Sequence, residues 1–399
     1  MDKVILAYSG GLDTSVCIQW LKEKKNLNVI TFSADVGQGD DFEELCERAL
    51  NTGASSAHVS DLKEELVTDY IFPSIRANAV YEDNYFLATA LSRPLIAREM
   101  VNLAEEHSCW YFSHGCTGKG NDQVRIEAGI AALAPNKKII APLREWDLES
   151  REAEIDYARR FTIPVPVTKE SPYSIDSNLW GVSIECGALE DPWNAPPEDA
   201  YRITVSPEKA PDKPEVIEIE FADGIPVALN GNPKKPVALI EELNKVAGAH
   251  GVGRSDMVEN RLVGIKSREV YEAPAAEVIF RAHKALEALV LDRETLHFQD
   301  ILSRRYAEIV YNGLWFSTLR EALDSFFSRT QKYVEGVVRV RLYKGTCTVT
   351  GRKSGYSLYN KSLSTYSNDD IFRHESAEGF IDIWSLPLRV EHDRRNRNS

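Results

Sequence analysis

The chain has 399 residues, enough for two or three domains. Hydrophobic residues make up 43% and charged residues 27%, so a sizeable core is expected, and no apolar run approaches the ~20 residues of a membrane span. A formal net charge of −14 without a long basic stripe speaks against a protein that wraps nucleic acid.

Met1-Asp2-Lys3 leads straight into an apolar strand, unlike a signal peptide, and a cytoplasmic protein is expected. Val4–Tyr8 reads as a buried strand, followed by a glycine turn and a helix from about Thr14 to Lys24. Val29–Ala34 is the second strand, Asp41–Leu50 a helix and Ser56–Val59 a third strand. Asp61 with Glu64 three residues on resembles a capping box opening the next helix. Leu87–Glu106 is helical in period, with Pro94 near its start; Cys109–Ser113 and Ile139–Ala141 read as strands. Such alternation predicts a parallel, Rossmann-like sheet covered by helices, with ligands beyond the carboxyl ends of its strands.

Near residue 170 a run of prolines, among them Pro164, Pro166 and Pro172, changes the texture. Beyond it, strands at Glu215–Phe221, Val337–Tyr343 and Thr346–Thr350 mix with helices at Val237–Ala249, Ala276–Leu291, Glu294–Tyr311 and Leu319–Val334, an α+β pattern. After about Tyr359 comes a polar stretch and then an apolar tail. Phe380, Ile383, Trp384 and Leu388 recur there at helical spacing, which predicts either a homo-oligomer contact or packing on the same subunit. Arg394-Arg395-Asn396-Arg397 reads as a solvated end. The six cysteines show no Cys-x-x-Cys pair and no zinc spacing, so they read as reduced and mostly buried.

The chemistry centres on Ala7-Tyr8-Ser9-Gly10-Gly11-Leu12-Asp13-Thr14-Ser15. A strand feeds a double-glycine turn that opens a helix, whose unsatisfied N–H groups and partial positive charge suit phosphate. Hydroxyls of Ser9, Thr14 and Ser15 add donors, and Asp13 suits a Mg²⁺ ion bridging the phosphates. The segment lacks the lysine of a Walker A loop, Gly-x-Gly-x-x-Gly occurs nowhere, and Gly115–Gly120 has the wrong spacing for either.

Ser-Gly-Gly-x-Asp-Ser/Thr after a first strand resembles the loop of the N-type ATP pyrophosphatases, which cut ATP between its α- and β-phosphates. Four further segments sharpen the resemblance: Ser113–Arg125, Ser171–Trp180, Gly251–Arg254, and Val258–Arg261 running through Lys266-Ser267-Arg268 to Tyr271-Glu272. With the first loop they resemble the argininosuccinate synthase family, and the likeness extends to Ala377–Ile381. It implies an N-terminal ATP pyrophosphatase domain over residues 1–168, a synthetase domain over 169–360 and an oligomerisation tail over 361–399. It also implies a ligase that adenylates citrulline, releases pyrophosphate, and lets aspartate displace AMP, in arginine biosynthesis or the urea cycle. ATP is then a substrate with Mg²⁺, the partners are small molecules rather than nucleic acid or membrane, and the assembly is a homotetramer.

By position, the resemblance places Ala7, Tyr8, Ser9, Gly10, Gly11, Leu12, Asp13, Thr14, Ser15, Ala34 and Gly115 on ATP. Tyr85, Asn121, Arg125, Ser174, Ser183, Glu259 and Tyr271 fall on citrulline, and Thr117, Asn121 and Asp122 on aspartate. Asp13, Asp122 and Arg125 are expected to carry catalysis, and no metal-ligand set is indicated. Plainer readings stand beside these: Tyr85 and Tyr271 as packing residues, Ser174 as a helix cap, Glu259 with Arg261 as a surface ion pair. Three positions depart from the family pattern: Ala90 replaces a serine, Cys116 replaces a common alanine, and Pro387 interrupts a usually helical tail. Competing readings are a tRNA-thiolating ATP pyrophosphatase, which usually needs a cysteine pair and a basic surface, and a nucleotide-binding regulator without catalysis.

Overall fold

The computed structural model describes residues 1–148, 150–164 and 173–397. The proposed 168/169 boundary lies outside the described residues, as do Pro166, Ser171 and Pro172. By compactness the chain forms two units, Met1–Tyr356 and Ser357–Ser399.

In the first unit, β1 (Lys3–Ala7), β2 (Asn28–Asp35), β3 (Ser56–Asp61), β4 (Tyr111–His114) and β5 (Lys138–Ile140) form one parallel sheet in the order β3-β2-β1-β4-β5. Val4, Ile5 and Leu6 are fully buried, as expected of a strand with helices on both faces. The strand order reverses between β1 and β4, so a crevice opens beyond their carboxyl ends. Helices α1 (Leu12–Lys25) and α2 (Phe42–Thr52) follow β1 and β2. Asp61 ends β3 rather than capping a helix; its carboxylate accepts from Lys63 N–H at 3.2 Å, and the chain runs on through a π-helical turn at Leu66–Ile71.

Two antiparallel sheets follow. One is β10-β9-β8-β13-β14, built from β8 (Glu215–Ala222), β9 (Ile225–Leu229), β10 (Asn232–Pro233), β13 (Gly336–Tyr343) and β14 (Thr346–Lys353), packed on the Pro274–Val290 helix. The other, β11-β12-β7-β6, joins β6 (Ser174–Asn178), β7 (Gly181–Glu185), β11 (Arg254–Asn260) and β12 (Lys266–Glu272). Sequence patterning does not reveal this second sheet, because buried Glu259, Glu269 and Glu272 break the alternation of apolar and polar residues.

The Ala88–Glu106 helix packs on β1, β6 and β7, so it joins the parallel sheet to the four-stranded one. Three bonds fix the register of that junction: Asn178 Nδ2 to Ala88 O at 2.7 Å, Trp180 Nε1 to Phe86 O at 2.9 Å, and Leu179 N to Val36 O at 2.8 Å. They hold β6 beside the loop that follows β2.

The second unit contains the Glu375–Asn396 helix, which runs through Pro387. The expected interruption therefore does not occur, although proline there removes one backbone bond. Phe380, Ile383, Trp384 and Leu388 are exposed. Among the described residues no helix is long and apolar enough to cross a membrane.

Candidate active site

At the β1/β4 crevice lies a cavity of about 490 Å³. Gly11 precedes α1 in extended conformation with no side-chain cap, so the first N–H groups of α1 are open to a ligand. Gly10 takes φ +75°, which a side chain would strain, and its carbonyl accepts from Arg48 Nη1 at 2.9 Å. Tyr8 OH and Ser15 Oγ bond at 3.1 Å, and Ser9 Oγ and Thr14 Oγ1 at 3.2 Å, which fixes the loop hydroxyls. The loop after β4 passes so close to α1 that a Cβ on Gly115 would stand 2.6 Å from the Thr14 methyl carbon. His114 orders this loop: Nδ1 accepts from Cys116 N–H at 3.2 Å, so Nε2 carries the proton and donates to Glu127 at 2.9 Å. Burial opposes ionisation of Glu127, but His114 and Arg144 hold its carboxyl below the usual value.

A second cavity, of about 240 Å³, lies between the four-stranded sheet and the Asn121–Leu133 helix. It is built from charged side chains. Glu259 is 1% exposed; its oxygens accept from Tyr311 OH at 2.7 Å and Tyr271 OH at 2.6 Å. Among the described residues no lysine or arginine pairs with it, so a buried carboxylate faces the cavity without a cation. Glu269, 3.1 Å from Tyr271 OH, is pushed up to about 8 by burial and by Glu259 and Glu185. Arg261 bridges Glu269 at 2.6 Å and Glu185, rather than Glu259, which displaces the surface-pair reading. Arg125 is 4% exposed; Nε donates to Tyr311 O and Nη1 to Asp122, each at 2.8 Å. Its Nη2 carries no hydrogen bond among the described residues.

The cavities share a wall. Cys116 and Asp176 line both, and Arg93, which lines the first, ion-pairs Asp176 and also Asp122 of the second at 2.9 Å. Burial works against the Asp122 charge, yet Arg93 and Arg125 hold its carboxyl below the usual value. Burial pushes the Cys116 thiol up to about 12.

Of the residues expected at ATP, Ala7, Tyr8, Ser9, Gly11, Thr14, Ala34 and Gly115 line the first cavity. Gly10 shapes the turn, and Ser15 and Leu12 are buried behind it. Asp13 instead neighbours Glu154, which burial and then the Asp13 charge push up to about 8. Every residue expected at citrulline or aspartate lines the second cavity. Ser174 sits on a strand rather than capping a helix. Tyr85 is buried and stacks on Tyr271 with ring centroids 4.3 Å apart; its hydroxyl accepts from Thr89 N–H at 3.0 Å and Ala90 N–H at 3.2 Å, capping the Ala88–Glu106 helix. Asn121 donates to Tyr311 OH at 2.8 Å and accepts from Leu262 N–H at 2.9 Å, and each amide end retains capacity for a second bond.

The expectations did not include Arg93, Asp176, Glu185, Glu269 or Tyr311 as site residues. Asp176 and Arg261 stand inside the quoted motifs, but Tyr311 ends an ordinary amphipathic helix and offered no signal. Among the described residues no group of three or more His, Cys, Asp and Glu forms a metal cluster.

Comparison with known proteins places this geometry. The family model of the arginosuccinate synthase N-terminal HUP domain matches residues 3–164, and that of the C-terminal domain residues 173–391. An argininosuccinate synthase from Chlorobium phaeobacteroides (strain BS1) is 55% identical over 389 residues, covering 98% of this chain and 97% of that one. Another from Thermoanaerobacter sp. (strain X514) is 56% identical over 390 residues, covering 98% and 95%. A solved structure, the U34-tRNA thiolase NcsA from Methanococcus maripaludis, aligns at 18% identity and TM-score 0.27 over 43% of this chain and 62% of that one, too slight a likeness to argue from.

Proposed function

We infer that this chain, which belongs to the argininosuccinate synthase family, is a ligase that condenses citrulline with aspartate through citrullyl-AMP, releasing AMP and pyrophosphate. The observation that carries the reading is the shared wall: a cavity of about 490 Å³ on the glycine turn that opens α1 abuts a smaller cavity lined by charged side chains.

ATP lies with its phosphates at the start of α1 and its base among Phe32, Val36, Phe42 and Leu45. The neighbouring carboxylates of Asp13 and Glu154 would hold a divalent cation such as Mg²⁺, which would neutralise charge on the departing pyrophosphate. Glu259 holds the α-ammonium of citrulline, relieving its uncompensated burial. Arg125 Nη2, with Ser174 and Ser183, takes the α-carboxylate. The ureido group then points to the shared wall. Thr117, Asn121 and Asp122 take aspartate on the other side of the ureido carbon. Adenylation is needed because a urea carbon is a poor electrophile; bonding its oxygen to phosphorus makes that oxygen leave readily. Orientation of the partners in such a site contributes up to ~7–11 kcal/mol.

In the same reading the enzyme serves arginine biosynthesis in the cytoplasm as a homotetramer, with the apolar stripe of the Glu375–Asn396 helix supplying subunit contacts. Citrulline labelled with ¹⁸O on the ureido group tests the route: the label is expected in AMP by mass spectrometry. Unlabelled AMP beside normal argininosuccinate overturns it.

A further inference from the structure

We propose that Asp176 takes the proton from the amine of aspartate in the second half of the reaction. The inference rests on the ligase reading above and names a role that reading leaves open.

Five carboxylates line the second cavity, and their surroundings differ: Glu185 and Glu269 are both tied to Arg261. Glu259 lies within the second cavity, bonded to two tyrosine hydroxyls. Asp122 is locked between two guanidinium groups, Oδ1 accepting from Arg125 and Oδ2 from Arg93, which keeps it charged and poor as a proton acceptor. Asp176 alone of the five lines both cavities. It stands on β6 opposite Ser183 of β7, with Arg93 on Oδ2 and its side chain 39% exposed, so it is reachable from the space between the cavities. The charged groups facing it are Arg93 and Asp122, with the Cys116 thiol on the same wall and the Thr89 hydroxyl beside it. Partial desolvation at the shared wall raises its proton affinity, Arg93 opposes this, and the Asp122 charge adds to the rise. One carboxylate is thus kept ionised and its neighbour made more basic, the arrangement that separates a binding role from an acid–base role.

The step balances. The ammonium of aspartate gives one proton to the Asp176 carboxylate and gains a lone pair. That pair forms the C–N bond to the ureido carbon while the C–O bond breaks, its electrons leaving on the AMP oxygen. The second proton shed by nitrogen passes to the departing AMP. Arg93 positions Asp176 and lines the cavity where the α-phosphate would lie.

The test splits the two halves. In full-length Asp176→Asn, citrulline-dependent exchange of labelled pyrophosphate into ATP reads adenylation, and argininosuccinate formation reads the whole reaction. Exchange is expected to persist, while argininosuccinate formation falls ~10²–10³-fold, the usual worth of a general base. Hydroxylamine, unprotonated at neutral pH, should trap the adenylate equally well in variant and parent, and Asp176→Glu should recover most of the lost rate. Equal loss in both halves, equal loss in D176E, or no loss in D176N overturns the proposal. If D176N does not fold, Asp176→Ser is read by the same two rates. Absence of exchange in the unaltered protein would instead remove the ligase reading itself, and this proposal with it.

Discussion

The two cavities are made of different material. The α1 end of the first cavity is largely backbone: open N–H groups at the start of α1, a glycine at positive φ, and a second glycine where the loop after β4 nearly touches α1. The neighbouring cavity is made of side chains: carboxylates, guanidinium groups and phenols drawn from distant parts of the chain. A backbone site is sensitive to added atoms, whereas a side-chain site is sensitive to a removed charge.

Glu259→Gln should have the largest effect. It leaves two phenol hydroxyls and the substrate ammonium without their buried anion, and breaking such a pair costs about 3–5 kcal/mol. KM for citrulline should rise ~10²–10³-fold on that basis, with KM for ATP little changed. A parallel rise in both, measured by steady-state kinetics, would break the contrast between the cavities.

Gly115→Ala should do the converse. The added methyl meets Thr14 at 2.6 Å, and overpacking of this kind costs about 1–3 kcal/mol. ATP affinity, followed by titration calorimetry, should fall ~10–10²-fold, and a second change, Thr14→Ser, should restore part of it by removing the opposing methyl. An unaltered affinity would mean that α1 and the loop after β4 have room to spare.

The smallest effect is on pH. Glu269 has a folded value of about 8, above its usual range, because it is buried beside Glu259. A raised value means its stabilising contribution is complete below the unfolded carboxylate range and is lost as pH rises through about 8. Glu154, also near 8 beside Asp13, acts in the same direction. The melting temperature of the free protein should therefore fall from pH 5 towards about 8.5, and the double variant E154Q/E269Q should flatten that fall. Citrulline binding should show the opposite sign, tightening with pH, because an ionised Glu269 attracts the ammonium. A melting temperature that rises over this interval would refute the assignment.

The same contrast explains how much could be read from sequence. The loop Ala7–Ser15 was legible because turn, helix start and phosphate donors lie within consecutive residues, so local chemistry specifies them. The parallel sheet was legible because its central strands carry short apolar runs, Val4–Leu6 in β1 and Val29-Ile30 in β2, that alternate with helices. The four-stranded sheet was not: strands bearing Glu259, Glu269 and Asp176 place charge where a core pattern would place apolar residues. Tyr311 is legible only in three dimensions, since its role comes from the end of a helix that reaches Asn121 and Glu259 from 190 and 52 residues away. Tyr85 combines both plain and functional readings, since it packs, caps a helix and lines the cavity.

In the proposed reading the approach of Gly115 to Thr14 would also link occupancy of one cavity to occupancy of the other. In that reading Thr14 belongs to the element that would receive phosphate, and Gly115 leads into the Cys116–Asn121 segment that would receive the amino acid. Packed this closely, α1 and the loop after β4 would pass a shift from one to the other, which in that reading gives nucleotide and amino acid a coupling free energy. Thermodynamics makes such coupling reciprocal: whatever factor ATP adds to the affinity for amino acid, the amino acid returns to ATP. A loop packed on the start of a helix would thus supply what a hinge supplies in larger enzymes, agreement between two substrates before chemistry begins.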